Sequence, residues 1–400
     1  MTATRSTAVL TIIATFSIIT FTSPARAQTA SATSPAQRVA NTPFPRTAMF
    51  WRPVRGDDSL ESHAKHDLIL LGRWSLRLEP NHEREGLADG YTAESIQRAK
   101  QRLAQIRQLN PNAIIVLELY FYEYHENWLP ENHPWWLRVD GQKQQFWPGT
   151  HRMDWHNTDF QNKVIKQAAA LKSIGLDGVF FDNLRNEPTA WVPFLTRFRQ
   201  QNGNDFLILA NAGYAVGEHD FAAPFLNGIV YESGWSHDRT DWSQTIPAMQ
   251  HTESLLMEPR ISVIERFEEV GGRAGWPDDP NRLKPPTQRD PQLRRWSLGY
   301  ALAIGNYYYL FADNTTHLHD WYAEYDQKIG QPLEPAQQLN PHLYKRRYEN
   351  ALVIVNLPGA TQPHTVTLEQ PALNTLTNQT ATTFTIPPAD AAILITTQPD

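Results

Sequence analysis

Residues Leu176–Asn183 read LDGVFFDN and have the pattern of a buried strand. An Asp-Gly turn signal precedes the apolar run Val179–Phe181, and an aspartate and an asparagine follow it. A short apolar run bounded by turn residues is typical of a strand that is buried on both faces. A carboxylate at the end of such a strand costs several kcal/mol if it is buried and unpaired. Asp182 must therefore be hydrated, paired or used in chemistry.

The same kind of run recurs along the chain. Eight runs rich in β-branched and aromatic residues, separated mostly by segments of helix length, are TAMFW (47–51), DLILLG (67–72), AIIVLELYF (113–121), DGVFFDN (177–183), DFLILANAG (205–213), NGIVYES (227–233), RISVIERF (260–267) and NYYYLFADN (306–314). Their hydrophobicity is continuous rather than alternating, which predicts a parallel sheet covered by helices. The clearest helices are predicted over 92–109 and 159–175, the second of which ends on a glycine.

Eight strand–helix units predict a closed (β/α)8 barrel, the TIM-barrel fold. An open doubly wound sheet is the alternative. No Gly-x-Gly-x-x-Gly turn follows the first strand to support a dinucleotide-binding version of that sheet.

The two ends of the chain differ in composition from the middle. Residues 1–27 combine a basic start, an apolar stretch and a small-x-small cleavage site, which is typical of a signal peptide. We therefore expect a secreted or periplasmic protein with no membrane anchor after cleavage. Residues 28–45 are predicted to be a linker, because they are rich in Ala, Ser, Thr, Gln and Pro. Residues 46–331 would form the barrel, and 332–400, rich in Pro and Thr, a small C-terminal antiparallel β domain that we interpret as a β-sandwich.

Charge and composition argue against several classes of protein. The formal charge is -6 and the pI is near 6.2, whereas a nucleic-acid partner would require a basic face. The chain has no cysteine, so neither a disulfide framework nor a thiol nucleophile is available. All 13 tryptophans lie between Trp51 and Trp321, several of them in connecting segments. Large amphipathic rings in such segments would be available for binding a ligand.

Polar residues end or follow each predicted strand. In a barrel of this kind, reactive residues lie where the strands open into loops at the C-terminal face. The residues in these positions are Arg52, Arg73, Glu118, Asp182, Asn183, Asn211, Glu232, Glu265, Asp313 and Asn314. Carboxylates from several strands would therefore meet in one place.

Asp182 is the first candidate for chemistry among these residues. It could instead cap the helix that follows, since Asp is a favoured N-cap residue. Glu187, or Thr189 next to Pro188, lies nearer to the start of that helix and offers another cap. The sequence is compatible with both interpretations of Asp182.

Glu232 ends the sixth predicted strand as Asp182 ends the fourth. It could form a salt bridge to Arg52 or Arg73. Cleavage of a glycosidic bond requires two carboxyl groups, one to protonate the leaving oxygen and one to act as nucleophile or base. Residues two strands apart start about 10 Å from each other, and inward-leaning side chains shorten this separation. Asp182 and Glu232 are therefore the predicted catalytic pair, with Glu265 as the alternative to Glu232.

Side chains around this pair are candidates for binding a sugar. Amide groups can hydrogen-bond to hydroxyls, and aromatic rings can stack against sugar faces. The predicted substrate-binding residues are Asn183, Asn211, Glu118, Tyr120, Tyr122, Trp74, Trp235 and Asp313.

Metal and serine chemistry have thin support in the sequence. HAKH (63–66) and HLHD (317–320) place histidines close together, but neither a HExxH motif nor a third ligand at a suitable spacing accompanies them. We interpret both as solvated loops and expect no metal or other cofactor. The Gly-x-Ser-x-Gly elbow of serine hydrolases is also absent.

Two stretches resemble a known family. MDWHNTDFQNKVIKQAAALKSIGLDGVFFDN (153–183) and KRRYENALVIVNLPG (345–359) are similar to the "GxDGVFxDN" strand and to the opening of the C-terminal β domain in hypothetical glycosyl hydrolase family 15 and the related endo-α-1,4-polygalactosaminidases. Ala351 stands where that pattern has glycine, and the third loop is more aromatic. The resemblance implies a (β/α)8 fold, a carbohydrate substrate and a functional aspartate at Asp182. Asp182 would then be the nucleophile or base and Glu232 the general acid.

Two functions fit these features. One is a secreted glycoside hydrolase that cleaves an oligo- or polysaccharide; the other is a non-catalytic carbohydrate-binding or cell-envelope protein on the same scaffold. Fold alone does not separate them. Carboxyl oxygens of Asp182 and Glu232 about 5 to 9.5 Å apart in one cleft would favour the hydrolase. Burial of either group against an arginine, with no cavity beside it, would favour the binding protein.

Overall fold

The structure is a computed structural model that describes residues 33–213, 216–232, 242–267, 291–312 and 317–395. Its helices are α1 (Pro35–Asn41), α2 (Leu60–Ala64), α3 (Ala93–Leu109), α4 (Thr158–Ile174), α5 (Pro188–Asn202), α6 (Trp242–Leu255) and α7 (Pro291–Ile304). Up to residue 312 its strands are β1 (Arg46–Phe50), β2 (Leu68–Leu71), β3 (Ile114–Glu118), β4 (Glu123–His125), β5 (Arg138–Val139), β6 (Gln142–Lys143), β7 (Thr150–Arg152), β8 (Gly178–Phe181), β9 (Leu207–Gly213), β10 (Gly228–Glu232), β11 (Val263–Phe267) and β12 (Tyr308–Ala312).

Eight of these strands form a closed parallel barrel in the order β1-β12-β11-β10-β9-β8-β3-β2. The ring is closed because β1 pairs with β2 through Ala48 and Leu68, and with β12 through Arg46 and Tyr308. Each barrel strand coincides with one of the eight predicted runs. The predicted (β/α)8 barrel is therefore confirmed, and the open sheet is excluded.

The helical layer around the barrel is less regular than eight strand–helix units would give. Helix α2 has five residues, and the described chain between β9 and β10 has a 3-10 turn at Ala223–Phe225 in place of a long helix. Helix α4 begins after the Asn157 side chain, which accepts hydrogen bonds from the first turn, and ends at Gly175 with a φ of 106°. Among the described residues, no helix is both long enough and apolar enough to cross a lipid bilayer.

Side chains of alternate strand residues fill the barrel interior. In β8, Phe180 belongs to the interior cluster, whereas Val179 and Phe181 pack outward with the helices. The interior cluster also contains Ala48, Phe50, Leu68, Leu70, Ile114, Val116, Leu207, Leu209, Val230, Ile261, Val263, Tyr308, Leu310 and Ala312. Burial on both faces explains why the strands read as continuous apolar runs.

Helix α1 closes the N-terminal end of the barrel. Val39 joins the interior cluster, and Ser34 caps the helix through a reciprocal pair of hydrogen bonds with Gln37. The prediction that 28–45 is a linker is therefore wrong for the helix and the residues that follow it. The reason is that Val39 and Phe44, each buried, supply an apolar anchor that the overall composition of the segment hides.

Asp177 and Gly178, at the start of β8, also belong to this end of the barrel. The Asp177 carboxylate forms an ion pair with Arg38 of α1, accepts a hydrogen bond from Arg107 at 3.0 Å, and accepts one from the Ile115 backbone N–H at 2.9 Å. A Cβ atom on Gly178 would lie 2.3 Å from the Leu207 carbonyl oxygen, so the close approach of β9 requires glycine there. The Asp-Gly pair thus fixes the entry of β8 into the barrel.

A second sheet follows the barrel. Its strands are β13 (Gln337–Asn340), β14 (Leu343–Arg347), β15 (Ala351–Asn356), β16 (His364–Asn374), β17 (Gln379–Ile386) and β18 (Asp390–Ile395), in the order β13-β14-β15-β18-β16-β17. One face packs closely on α7, since a Cβ atom on Gly299 would lie 2.3 Å from the Ala391 Cβ atom. Arg295 of α7 also binds both carboxylate oxygens of Asp390, at 2.8 and 2.6 Å. The predicted small antiparallel β domain is confirmed.

The interpretation of this domain as a β-sandwich needs a correction. The strands in its described residues form one hydrogen-bonded sheet rather than two separate sheets. The β16–β17 hairpin folds back over the face away from α7, because Asn356 of β15 donates a hydrogen bond to the Ile386 carbonyl of β17 at 3.1 Å. Phe384 and Ile386 pack there with Ile354 and Leu394. Helix α7 and the hairpin cover the two faces, so a second sheet is not needed.

Candidate active site

Polar side chains occupy the next inward position above the interior core in five neighbouring strands. Because side chains alternate along a strand, a residue two positions after an interior residue also points toward the barrel axis. The residues that follow Val116, Phe180, Leu209, Val230 and Val263 in this way are Glu118, Asp182, Asn211, Glu232 and Glu265. Five of the predicted site residues therefore form one layer at the C-terminal end of the barrel.

Asp182 is held by two amide side chains. Its Oδ1 atom accepts a hydrogen bond from Asn211 Nδ2 at 2.8 Å, and its Oδ2 atom accepts one from Asn183 Nδ2 at 2.7 Å. Asn183 has a φ of 58°, in the left-handed region that asparagine tolerates better than most residues. This turn directs the Asn183 amide back toward Asp182.

Asn211 joins Asp182 to Glu232. Its Nδ2 atom also donates to Glu232 Oε1 at 3.0 Å, while its Oδ1 atom accepts a hydrogen bond from the Gly213 backbone N–H at 2.7 Å. The Gly213 contact fixes the amide orientation, because a backbone N–H can only donate. The two accepting carboxylate oxygens lie at most about 5.8 Å apart, the sum of their distances to Nδ2.

The described contacts show neither helix capping by Asp182 nor an ion pair between Glu232 and Arg73. Helix α5 has Glu187 at its N-cap position, so Asp182 does not cap it. Arg73, one of the two arginines considered as a partner for Glu232, forms an ion pair with Glu85. Both Asp182 and Glu232 take part in the Asn211 contact instead.

The environment of the pair favours different protonation states for its two members. Burial, followed by the charges of Glu265 and Asp182, raises the pKa of Glu232 to about 8. Glu232 is therefore protonated at neutral pH. Burial also raises the pKa of Asp182, but hydrogen bonds from Asn211 and Asn183 oppose that shift. Hydrogen bonds to a carboxylate favour its charged form, so Asp182 is the better candidate for the ionised member.

Two further carboxyl groups lie close to Asp182. Trp51 Nε1 donates a hydrogen bond to Glu118 Oε2 at 2.8 Å. Burial, followed by the charge of Asp182, raises the pKa of both Glu118 and Glu123 to about 8. With a pKa of about 8, Glu118 and Glu123 carry a proton at neutral pH, and each can then donate as well as accept a hydrogen bond.

Glu265 is the most deeply buried member of this layer. It is fully buried, and it faces Glu232 across the β10–β11 ladder. His317 Nδ1 lies 2.5 Å from Glu265 Oε1 and donates to it. A carboxyl group with no exposed surface does not reach a ligand, so its burial favours a supporting role for Glu265 over the alternative catalytic role.

The structure overturns the interpretation of HLHD (317–320) as a solvated loop. The His317 ring packs 4.5 Å from the Trp51 ring and 5.7 Å from the Phe267 ring, measured between centroids. Only 16% of the His317 side chain is exposed. His317 is therefore part of the site.

A cleft opens beside the carboxyl pair. Its cavity volume is about 420 Å³, which is within the range of typical ligand pockets. Asn183, Asn211 and Glu232 line it together with Arg185 and Trp147. Trp147 lies between β6 and β7, in the long segment after β3, and its side chain is 48% exposed. An exposed ring in the cleft wall is a suitable surface for a sugar face.

The other predicted aromatic contacts have different outcomes. Tyr120 is half-buried against Trp128, and Trp74 is exposed on the turn after β2 but is not among the described residues that line the cleft. The prediction that Tyr122 stacks on a sugar is wrong, because its ring is buried, stacks on Trp155 at 4.5 Å and has the Arg185 guanidinium 5.1 Å from its centroid. The predicted residues Trp235 and Asp313 lie outside the described residues.

The described structure brings four further residues, none of them a predicted site residue, into the site: Trp51, Glu123, Arg185 and His317. Trp51 directly follows β1, so a rule that read every polar or aromatic strand end would have found it. Arg185 donates a hydrogen bond to Asn183 Oδ1 at 3.2 Å, but it lies on a loop with no periodic pattern. The pairing of His317 with Glu265 joins residues 52 positions apart, and no local signal predicts it.

Residues 105–352 match the family model of hypothetical glycosyl hydrolase family 15. The chain belongs to this family. The matched region contains all five inward-facing polar residues of the site and runs into the C-terminal sheet. No curated protein sequence matches the chain.

Several solved structures are similar to this one. The ligand-free cyclic α-maltosyl-(1→6)-maltose hydrolase from Arthrobacter globiformis has a TM-score of 0.54 and 13% identity, with 91% of this chain and 100% of that chain covered. Eubacterium rectale Amy13B has a TM-score of 0.53 and 9% identity, with 90% and 98% covered. The acarbose-soaked debranching enzyme of Nostoc punctiforme has a TM-score of 0.51 and 12% identity, with 84% and 86% covered. At such low identity these likenesses show the fold alone, a glycoside-hydrolase-like TIM barrel.

We expect Glu232 to destabilise the folded protein increasingly as the pH rises. Its folded pKa is about 8, against about 4.3 in an unfolded chain, so between these values the folded state holds a proton that unfolding releases. Glu232→Gln removes this linkage. The melting temperature of the variant minus that of the wild type should therefore grow from pH 5 to pH 8 in thermal unfolding. Glu369→Gln, at an exposed carboxylate of β16, is the control whose difference stays constant. A constant difference for Glu232→Gln as well would show that Glu232 is ionised across this range.

Proposed function

We propose that the protein is an exported glycoside hydrolase that cleaves an O-glycosidic bond in an oligo- or polysaccharide with Asp182 and Glu232. The observation that carries the proposal is the Asn211 amide, which contacts both carboxyl groups at 2.8 and 3.0 Å beside an open cleft. Membership of hypothetical glycosyl hydrolase family 15 supports a carbohydrate substrate. The signal-peptide pattern of residues 1–27 supports export.

Glu232 is the general acid in this proposal. A carboxyl group with a pKa of about 8 carries its proton at neutral pH and can give it to the leaving oxygen as the glycosidic bond breaks. Burial, together with the charges of Glu265 on the neighbouring strand and of Asp182, keeps Glu232 protonated until that moment. His317 donates to Glu265 and so limits the negative charge beside the acid.

Asp182 is the nucleophile in this proposal. Its carboxylate attacks the anomeric carbon, forms a glycosyl ester and releases the alcohol that Glu232 protonates. Glu232, now a carboxylate, takes a proton from water, whose oxygen attacks the same carbon and frees Asp182. Retaining enzymes separate their carboxyl groups by about 5 to 5.5 Å, and inverting enzymes by about 6.5 to 9.5 Å. The limit of about 5.8 Å between the accepting oxygens favours retention.

The binding-protein alternative is less well supported. It would be favoured by a carboxyl group buried against an arginine with no cavity beside it, whereas Asp182 and Glu232 are both half-buried and share an amide donor. A protein that only binds sugar has no need to hold Glu232 neutral beside an ionised Asp182.

Substitution of the two carboxyl groups should have different effects on different substrates. Purified wild type, Asp182→Asn and Glu232→Gln would be tested on a polysaccharide panel, then on an aryl glycoside of the released sugar with a good leaving group. Loss of the acid should lower kcat/KM about 10²–10⁴-fold on the polysaccharide, but much less on the aryl glycoside, whose leaving group needs no protonation in the first step. Loss of the nucleophile should lower both rates.

Glu369→Gln again provides the control for this experiment, since its exposed carboxylate lies on the C-terminal sheet. Equal turnover by Asp182→Asn and the wild type would remove Asp182 from the mechanism. Equal losses of kcat/KM on both substrates for Glu232→Gln would remove Glu232 as the acid. No turnover of any panel member by the wild type, with sugar binding intact, would favour the binding protein.

The anomer released first should have the configuration of the bond that was cleaved. Two successive displacements at one carbon restore the original stereochemistry, as the separation of the carboxyl groups indicates. Proton NMR of the reducing end, recorded before mutarotation, measures this directly. An inverted first product would mean that water, rather than Asp182, attacks the anomeric carbon.

A further inference from the structure

Two buried histidines meet outside the carboxyl layer. His66 follows α2, and His319 lies in the segment after β12. Their Nε2 atoms are 2.8 Å apart, and 1% and 2% of the two residues are exposed. His63 is buried as well, so the interpretation of HAKH (63–66) as a solvated loop is also wrong.

The hydrogen-bond partners of the two rings fix where their protons lie. His66 Nδ1 is 3.0 Å from the Ser62 carbonyl oxygen, and His319 Nδ1 is 3.1 Å from the His317 carbonyl oxygen. A carbonyl oxygen can only accept, so both Nδ1 atoms carry a hydrogen. A neutral imidazole has one N–H, so two neutral rings would direct two lone pairs at each other across 2.8 Å. A third proton turns this repulsion into an N–H···N hydrogen bond of ordinary length.

A metal ion between the rings fits this geometry less well. Zinc holds nitrogen ligands at about 2.0–2.1 Å in a tetrahedron, which would separate the two Nε2 atoms by about 3.3 Å. The observed 2.8 Å is shorter. In the described part of the chain, no group of three or more His, Cys, Asp or Glu side chains is arranged to hold a metal ion.

The pair is connected to the active site through His317. His319 donates from Nδ1 to the His317 carbonyl, and the His317 ring donates to Glu265. His317 has a φ of 55°, a left-handed conformation that L residues adopt only when their surroundings hold them there. The contact between His66 and His319 therefore stabilises the backbone conformation that places the His317 ring in the active site.

We infer that one proton lies between His66 and His319, and that this hydrogen bond positions His317 in the active site. The two histidines are positioning residues, since neither lines the cleft in the described structure. The consequence for catalysis rests on the proposed hydrolase function, whereas the shared proton and its effect on His317 do not.

The surroundings explain why the pair holds one extra proton and not two. Burial, followed by the charge of His319, lowers the pKa of His66 well below its usual range, so a second imidazolium is excluded. Among the described residues, the titratable and charged groups around the pair are His63, Lys65 and Asp67 near α2, Arg55 after β1, Tyr309 on β12, Arg294 on α7, and His317, Asp320, Glu324, Tyr325 and Lys328 after β12. The carboxylates in this set are each paired with a cation: Asp67 with Lys328, Asp320 with Arg55, and Glu324 with Arg294.

The full-length protein with His66→Gln or His66→Leu tests this inference. A glutamine amide reaches about as far as Nε2 and donates to a neutral His319 without a third proton, whereas leucine offers similar volume and no donor. NMR of protein with 15N-labelled histidine would report the protonation of each ring nitrogen and the environment of His317. Thermal unfolding from pH 5 to pH 9, and kcat and KM on a panel substrate, complete the comparison.

We expect both Nδ1 atoms to carry hydrogen in the wild type and the His317 signals to be unchanged in His66→Gln. In His66→Leu the His317 signals should shift and kcat should fall about tenfold or more with KM little changed, because a displaced group costs rate rather than affinity. The wild type should be more stable than His66→Leu, and this difference should shrink as the pH rises and the third proton leaves. His66→Gln should also be more stable than His66→Leu, but that difference should not change with pH, because neither variant holds the third proton.

Three results would overturn the inference. They are an Nδ1 atom without hydrogen in either ring, unchanged His317 signals in His66→Leu, and a rise in melting temperature with Zn²⁺ or Ni²⁺ in the wild type that His66→Gln lacks. The NMR and unfolding results stand even if no panel substrate is turned over. A failed hydrolase assignment is therefore distinguishable from a failed inference about the histidine pair.

Discussion

The site depends on one amide group between two desolvated carboxyl groups. Asn211 offers an N–H to each of Asp182 and Glu232, but it carries no charge and so does not decide which of them ionises. The neighbours decide. Burial and then the Glu265 charge disfavour ionisation of Glu232, while a second amide, from Asn183, favours the charged form of Asp182. Two carboxyl groups this close in a poorly solvated site cannot both be charged at low cost. The arrangement thus separates an acid from a nucleophile without any arginine or lysine hydrogen-bonded to either carboxyl group among the described residues.

The barrel supplies this geometry through simple alternation. The same inward-facing rows that fill the interior with Phe180, Leu209 and Val230 continue, two residues later, into the polar layer. The two ends of strand β8 carry carboxylates with different roles. Asp177, before the strand, forms an ion pair with α1 and stabilises the fold, whereas Asp182, after it, accepts a hydrogen bond from Asn211, which lines the cleft. Side chains mounted on strands that are packed on both faces move little, which suits groups that must meet a reacting carbon at a fixed distance.

Much of this was readable from the sequence. Continuous apolar runs predict all eight barrel strands. Polar residues at the strand ends predict that Asp182, Asn211, Glu232 and Glu265 face the site, because the alternation of side chains along a strand is a local property. Contacts between distant segments were not readable. Arg38 and Val39 seal the barrel from a segment whose composition predicts a linker, and His317 reaches Glu265 from a loop that looked solvated. The prediction that Tyr122 binds a sugar is wrong for a related reason. Its ring lies in the expected loop, but Trp155 already covers it. Sequence periodicity specifies the direction of a side chain, but it does not show what else occupies that space.

The proposed mechanism requires that Glu232 is protonated and Asp182 is not, although one Asn211 amide contacts both. Neutron diffraction from deuterium-exchanged crystals at neutral pH observes it directly. We predict a deuteron on a Glu232 carboxyl oxygen, none on Asp182, and two on Asn211 Nδ2, one directed at each carboxyl group. A deuteron on Asp182 with Glu232 bare, or an Asn211 amide turned so that its oxygen faces the carboxyl groups, would contradict it.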